Sequence, residues 1–173
     1  MLSQKHDVQE TEKADVCCLQ FEPEKWDDVQ HTWNEKSFLM DTVPEIFHIP
    51  LPGTYAKAIG RMWKKAQDAG AAPDVKDFLL LAHDPTAFKS KLYMSVKKEV
   101  AGGRNVMLSG TFLSKVFEGP YSDVGKCIDQ MNQFLEAGEM KAKKHYVYFP
   151  YCPKCAKKYG HNYIVVMSEV QRH

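Results

Sequence analysis

Cys152-Pro153-Lys154-Cys155 places two thiols three residues apart on a turn, a spacing that lets both thiolates share one tetrahedral metal ion. Zinc takes four ligands, and His145, His161 and the adjacent Cys17 and Cys18 are the candidates for the remainder. Thiol redox chemistry is a second use of the motif. It needs the first cysteine at the start of a helix of real length, whereas Lys157-Lys158-Tyr159-Gly160 leaves only about one turn before the next strand. Packing is a third use, with Pro153 fixing a tight turn over two small side chains. The packed turn is the reading the sequence favours, so no metal and no cofactor is assigned, and Cys152, Cys155 and His161 stand only as weak ligand candidates. The five cysteines are odd in number and no secretory signal precedes them, so they read as thiols or ligands, not disulfides.

A second reactive group alternates along strand-like segments. Where Ile164, Val166 and Val170 face a helix, Tyr163, Val165, Met167 and Glu169 face the other way. Leu92, Met94, Val96 and Val100 likewise leave Tyr93, Ser95, Lys97 and Glu99 on the opposite face, and Val147 and Phe149 leave Tyr146 and Tyr148. Such residues compose an aromatic box with carboxylates, in which rings stack on a flat or cationic ligand and a partly desolvated glutamate supplies counter-charge or a base. The plainer alternative is that tyrosine forms strands well and that outward glutamates are solvated. Glu169 stands in an otherwise apolar row and favours function; Glu99 has Lys97 beside it and favours a surface ion pair. Trp33 is the tryptophan expected over the box. Lys141, Lys143, Lys144, Lys154, Lys157 and Lys158 read as a solvated rim, and His48 and His83 as satisfied strand histidines.

These residues need elements to hold them. Residues 1–14 are polar and without hydrophobic period, which predicts a disordered tail ahead of a single domain over 15–173. Residues 16–43 show no clean pattern. Beyond them the text EIFHIPL reads as a strand, and Tyr55, Ala58, Ile59, Met62, Ala66 and Ala69 carry helical spacing between Thr54 as N-cap and Gly70 as stop. KDFLLLAH and KLYMSVKKEV follow as strands. The order then returns: NVMLSGTFLSKVF as a strand, Val124 to Leu135 as a helix stopped by Gly138, then HYVYF and YIVVMSEV as strands. Phe47 and Phe117, Pro50 and Pro120, Tyr93 and Tyr163, Glu99 and Glu169, and Val100 and Val170 coincide at an offset of seventy. The prediction is an α+β fold of tandem strand-helix-strand-strand repeats, about 45–100 and 104–170, forming a pseudo-two-fold antiparallel sheet with helices on one face. A groove between the repeats is the expected ligand site.

The chain is 173 residues long, 44% hydrophobic and 26% charged, enough to bury a core and too ordered in composition for a disordered or fibrous protein. A formal charge of +1 supplies no field for nucleic acid, and no apolar run spans a membrane. The expected protein is cytoplasmic, a monomer or homodimer, with a small molecule as partner and neither nucleic acid nor membrane.

The segment SGTFLSKVFEGPYSDVGKCIDQMNQFLEAG followed by YVYFPYCPKCAKKYGHNYIVVMSEV resembles the second half of a GyrI-like small-molecule-binding domain. FHIPL with its helix, Asp84-Pro85 and KLYMSVKKEV resemble the first half; the Trp26 and Trp33 leader and the Cys152-to-Lys157 motif resemble a standalone subgroup labelled hydrolase. The resemblance implies eight strands from two repeats and a central cleft for bulky, aromatic or cationic compounds, in some members a drug-resistance or sensor module and in others a hydrolase of strained cyclopropanes. It places ligand contacts at Glu169, Tyr146 and Tyr148; strand alternation adds Tyr93, Glu99, Tyr163 and Met167 around them, and Trp33 is the tryptophan expected over the cleft. On a cyclopropane dienone, Glu169 would be the base and Tyr148 or Tyr146 the donor to the developing phenolate. The alternatives are a non-catalytic sensor or sequestering module, and a zinc- or thiol-dependent protein built on the cysteine turn.

Overall fold

The computed structural model describes residues 18–172; the tail expected over 1–14 and Cys17 lie outside the described residues. Strand β1 (Val29–Ile46) crosses most of the stretch in which the sequence shows no pattern. Its alternation is broken by a bulge between Trp33 and Lys36, where Glu35 takes φ 53°, so the apolar positions of its two halves fall out of step. The strand expected over 45–51 is the hairpin from β1 into β2 (Ile49–Pro50), turned at Phe47 and His48, both with positive φ. Helix α1 (Thr54–Asp68) follows, with Gly53 at its N-cap and Thr54 one position inside, donating its hydroxyl to the Leu51 carbonyl.

Strands β3 (Leu80–Thr86), β4 (Lys89–Ser95) and β5 (Asn105–Glu118) lead to helix α2 (Val124–Ala137), then β6 (Met140–Tyr148), helix α3 (Pro153–Tyr159) and β7 (Tyr163–Arg172). All pairings are antiparallel and run β2-β1-β4-β3-β6-β7-β5, with β5 returning to β1. β1 closes the ring because it is long enough to pair with β4 through residues 38–44 and with β5 through 29–39. The sheet is therefore a six-stranded barrel carrying a short hairpin strand, and it has no free edge inside the ring. The expected open groove becomes an interior, and a barrel this small is filled by its own side chains.

Helices α1 and α2 pack outside the barrel. Ala58, Met62 and Ala66 of α1 lie against Leu39, Val43, Leu92 and Met94, while Cys127, Met131 and Leu135 of α2 lie against Leu113, Val147, Ile164 and Val166. The inward side holds Phe38, Leu79, Leu81, Tyr93, Phe112, Tyr146 and Met167, with Trp26, Trp33, Met40 and Tyr148 packed on them. Strand alternation thus sorts helix-facing from interior residues as expected on β4, β6 and β7.

Half-buried histidines tie these layers together. His145 accepts from Ser168 Oγ at Nδ1, 2.6 Å, and donates from Nε2 to Asn132 Oδ1 of α2, 2.9 Å. Burial holds His31, His83 and His145 below the ordinary value of 6.5. A histidine depressed in the folded state contributes stability above the unfolded value and loses it as pH falls through 6.5. The thermal midpoint is expected to drop between pH 7.5 and 5.5, and His145→Gln, which keeps polar groups but cannot titrate, should flatten that slope. A midpoint that rises over this window would contradict the assignment.

Candidate functional site

The interior has two ends, and the register between strands decides which residues share one. Glu169 on β7 stands opposite Lys144 on β6 and opposite Phe112 on β5. Lys144 Nζ lies over the rings of Tyr146, 5.2 Å, and Tyr93, 5.7 Å, and those two rings meet edge to face. His83 packs on Tyr146, 5.8 Å, and its Nδ1 lies 3.0 Å from the His145 carbonyl oxygen, to which it donates. Trp33 packs on Phe112, 4.5 Å, across from Gly110. Gly110 sits at φ 140°, a backbone conformation that favours glycine, with Glu169 Oε1 3.4 Å and a Phe112 ring carbon 3.8 Å from where a Cβ would stand. Tyr93, Tyr146, Trp33, Met167 and Glu169 are thus brought to one end.

Tyr148 and Tyr163 belong to the other. Tyr148 pairs with Val165, four residues from Glu169, or about 13 Å along the strand; Tyr163 is about 20 Å away. Tyr148 packs on Trp26, 5.3 Å, and Phe21, 6.4 Å, and Tyr163 on Phe21, 5.1 Å. A Glu169–Tyr148 acid and base couple is therefore not assembled. Glu99 stands apart as well: β4 stops at Ser95, so the residue lies on the exposed loop, beside a depression lined by Ser37, Phe38, Asn105, Val106 and Met107. Nor does Tyr93 mirror Tyr163. The central pair joining the halves is Leu81 and Tyr148, and one strand outward on each side lie Tyr93 and Val165.

The electrostatics are those of a partly desolvated carboxylate among lysines. The Glu169 side chain is 25% exposed at the rim, with Lys143 Nζ 3.7 Å from Oε1. A bulge between Ala142 and Lys144 brings two successive lysines to this carboxylate. Lys144 is held below the ordinary lysine value, first by desolvation and then by Lys91, with Glu169 acting the other way. Tyr146 and Tyr93 are pushed up by burial, so both phenols stay protonated, and Tyr148 is pushed up to about 12 by the same cause. Lys144 and His83, expected as a solvated rim lysine and a satisfied strand histidine, are the further residues at this end. Their signal is alternation: Lys144 shares parity with Tyr146 and Tyr148, and His83 with Leu81.

At the far end the leader is fastened to α3. The Phe21 amide donates to Tyr151 Oη, 2.9 Å, and Tyr159 Oη donates to the Cys18 carbonyl, 2.8 Å. Cys152 caps α3, Cys155 lies in its first turn, and Cys18 joins them. His161 is engaged with Glu118, 3.0 Å, and His145 with Asn132, so neither histidine joins the thiols.

Residues 8–170 match the sequence model of the family described as Bacterial hydrolase. The chain belongs to that family. No curated protein matches it. Among solved structures, the EcmrR C-terminal domain superposes with a TM-score of 0.65 at 11% identity, covering 86% of this chain and 99% of that one. A hydrolase from Listeria innocua gives 0.60 at 14% identity over 84% and 92% of the two chains, and a further Listeria innocua hydrolase structure gives 0.60 at 13% over 97% and 100%. These likenesses show the fold, an α+β GyrI-like arrangement with a closed antiparallel sheet and three helices among the described residues. No described helix is long and apolar enough to cross a membrane.

Proposed function

We propose that this chain binds a flat, hydrophobic small molecule at the Glu169 end of the barrel and hydrolyses an electrophile there. The observation that carries the reading is Lys144, an ammonium held over two buried rings directly across from a rim carboxylate. Two lysines beside Glu169 already answer its charge, so a cationic ligand has less to gain here than a neutral acceptor that becomes anionic as it reacts. A cyclopropane joined to a dienone is such an acceptor. Water attacks the ring carbon, a carbon–carbon bond breaks, and its electron pair moves into the dienone to give a phenolate. Glu169 takes the proton from water and Lys144 stabilises the phenolate oxygen, a role the distant Tyr148 is not placed to fill. Trp33, half-buried beside the bulge, is the side chain that yields to let the ligand in.

Lys144→Met keeps the length and apolar stem of the side chain while removing its charge. It is expected to lower turnover of a cyclopropane dienone by roughly 10²- to 10³-fold, the scale of one lost oxyanion donor, with tryptophan quenching by the ligand retained. Turnover unchanged in that variant would remove Lys144 from the chemistry. Wild-type protein that quenches with the compound yet releases it intact would leave a sensor or sequestering module.

A further inference from the structure

The cysteine turn acquires a third member from the opposite end of the chain. Sγ atoms of Cys18, Cys152 and Cys155 all lie within 4.8 Å of one another, although 134 residues separate Cys18 from Cys152. We propose that Cys18, Cys152 and Cys155 form a thiolate site for a zinc-class divalent cation that fastens the leader to helix α3. Ligand type, ligand spacing and supporting contacts all bear on this.

Three thiolates on a tetrahedral ion at about 2.3 Å each stand about 3.8 Å apart, so the observed cluster needs to contract by less than about 1 Å. Soft sulfur donors select zinc and its neighbours over magnesium or calcium. The number of thiols matters too, since a disulfide would use two of them and strand the third, while a metal uses all three. Cys152 and Cys155 are presented together because α3 begins between them, with Cys152 at its N-cap and Cys155 completely buried. Cys18 is delivered by independent contacts: the Cys152 amide donates to its Sγ, 3.5 Å, and Tyr159 Oη donates to its carbonyl. An amide directed at the sulfur orients the ligand as outer contacts do around bound metals. Lys154, Lys157 and Lys158 on α3 suit the net negative charge that three thiolates and one divalent ion carry. Three residues beyond Cys18, Phe21 packs on Tyr148 and Tyr163, so the ion would hold a ring of the leader over the far end of the barrel.

Full-length protein prepared without chelator is expected to carry about one zinc per chain by elemental analysis. Cys18→Ser, Cys152→Ser and Cys155→Ser should each reduce this at least about tenfold, whereas Cys127→Ser, on α2 and outside the cluster, should not. Wild-type apo-protein titrated with cobalt(II) alone should saturate at about one equivalent with thiolate-to-metal charge transfer and the intense visible bands of tetrahedral coordination. That titration does not depend on the variants folding. Failure of cobalt and of zinc to bind the reduced wild-type chain would overturn the site, as would zinc retained in all three serine variants or a native mass showing a disulfide among these cysteines.

Discussion

Glu169→Gln is expected to lower turnover of a cyclopropane dienone by roughly 10²- to 10⁴-fold, the worth of a positioned general base, while ligand affinity stays within about threefold. The amide keeps the shape that fits above Gly110 and opposite Phe112, so the aromatic surroundings are unchanged and only the proton acceptor is lost. Affinity that collapses with turnover intact would make Glu169 a binding charge. Turnover that survives Glu169→Gln and disappears in His83→Gln would transfer the base to His83, whose Nδ1 donates to a carbonyl and leaves Nε2 as the acceptor.

The second large effect is on stability. Phe112 is 1% exposed, packs on Trp33 and Tyr146, and joins β1, β5 and β7 through its register. Removing its ring leaves a cavity inside a closed barrel whose walls are hydrogen-bonded all round and cannot collapse, so Phe112→Ala should cost about 3–5 kcal/mol in a denaturant titration. An open groove would respond differently, because a ring on an exposed face is replaced by water at much lower cost. A loss under about 1 kcal/mol would therefore contradict the filled interior.

Helices α1 and α2 were legible because Ala58, Met62 and Ala66, and Cys127, Met131 and Leu135, repeat at the helical period with glycine stops, and both spans match; α3, over the segment expected as a packed turn, was not. The interior face of β4, β6 and β7 was legible from alternation, which needs no knowledge of neighbouring strands. Closure of the sheet was not. It depends on the 18 residues of β1, whose bulge hides the period and whose first half, rich in polar residues, shows no apolar stripe. The composition of the site was lost with it. Tyr148 and Glu169 share a face, yet whether they share an end depends on cross-strand register, which no local pattern encodes. The same holds for Cys18, placed beside Cys152 by the path of the leader.

The methionine methyl groups offer the most direct test of where a ligand sits, because they are spread over the three packed layers. Met167 and Met40 face the interior, Met62 and Met94 the α1 side, and Met131 and Met140 the α2 side. Methyl spectra of methionine-labelled protein titrated with a polyaromatic dienone should show Met167 and Met40 shifting with saturation, while Met62 and Met131 hold their positions. Saturable shifts confined to Met62 or Met131, with Met167 unmoved, would contradict a ligand site at the Glu169 end of the barrel.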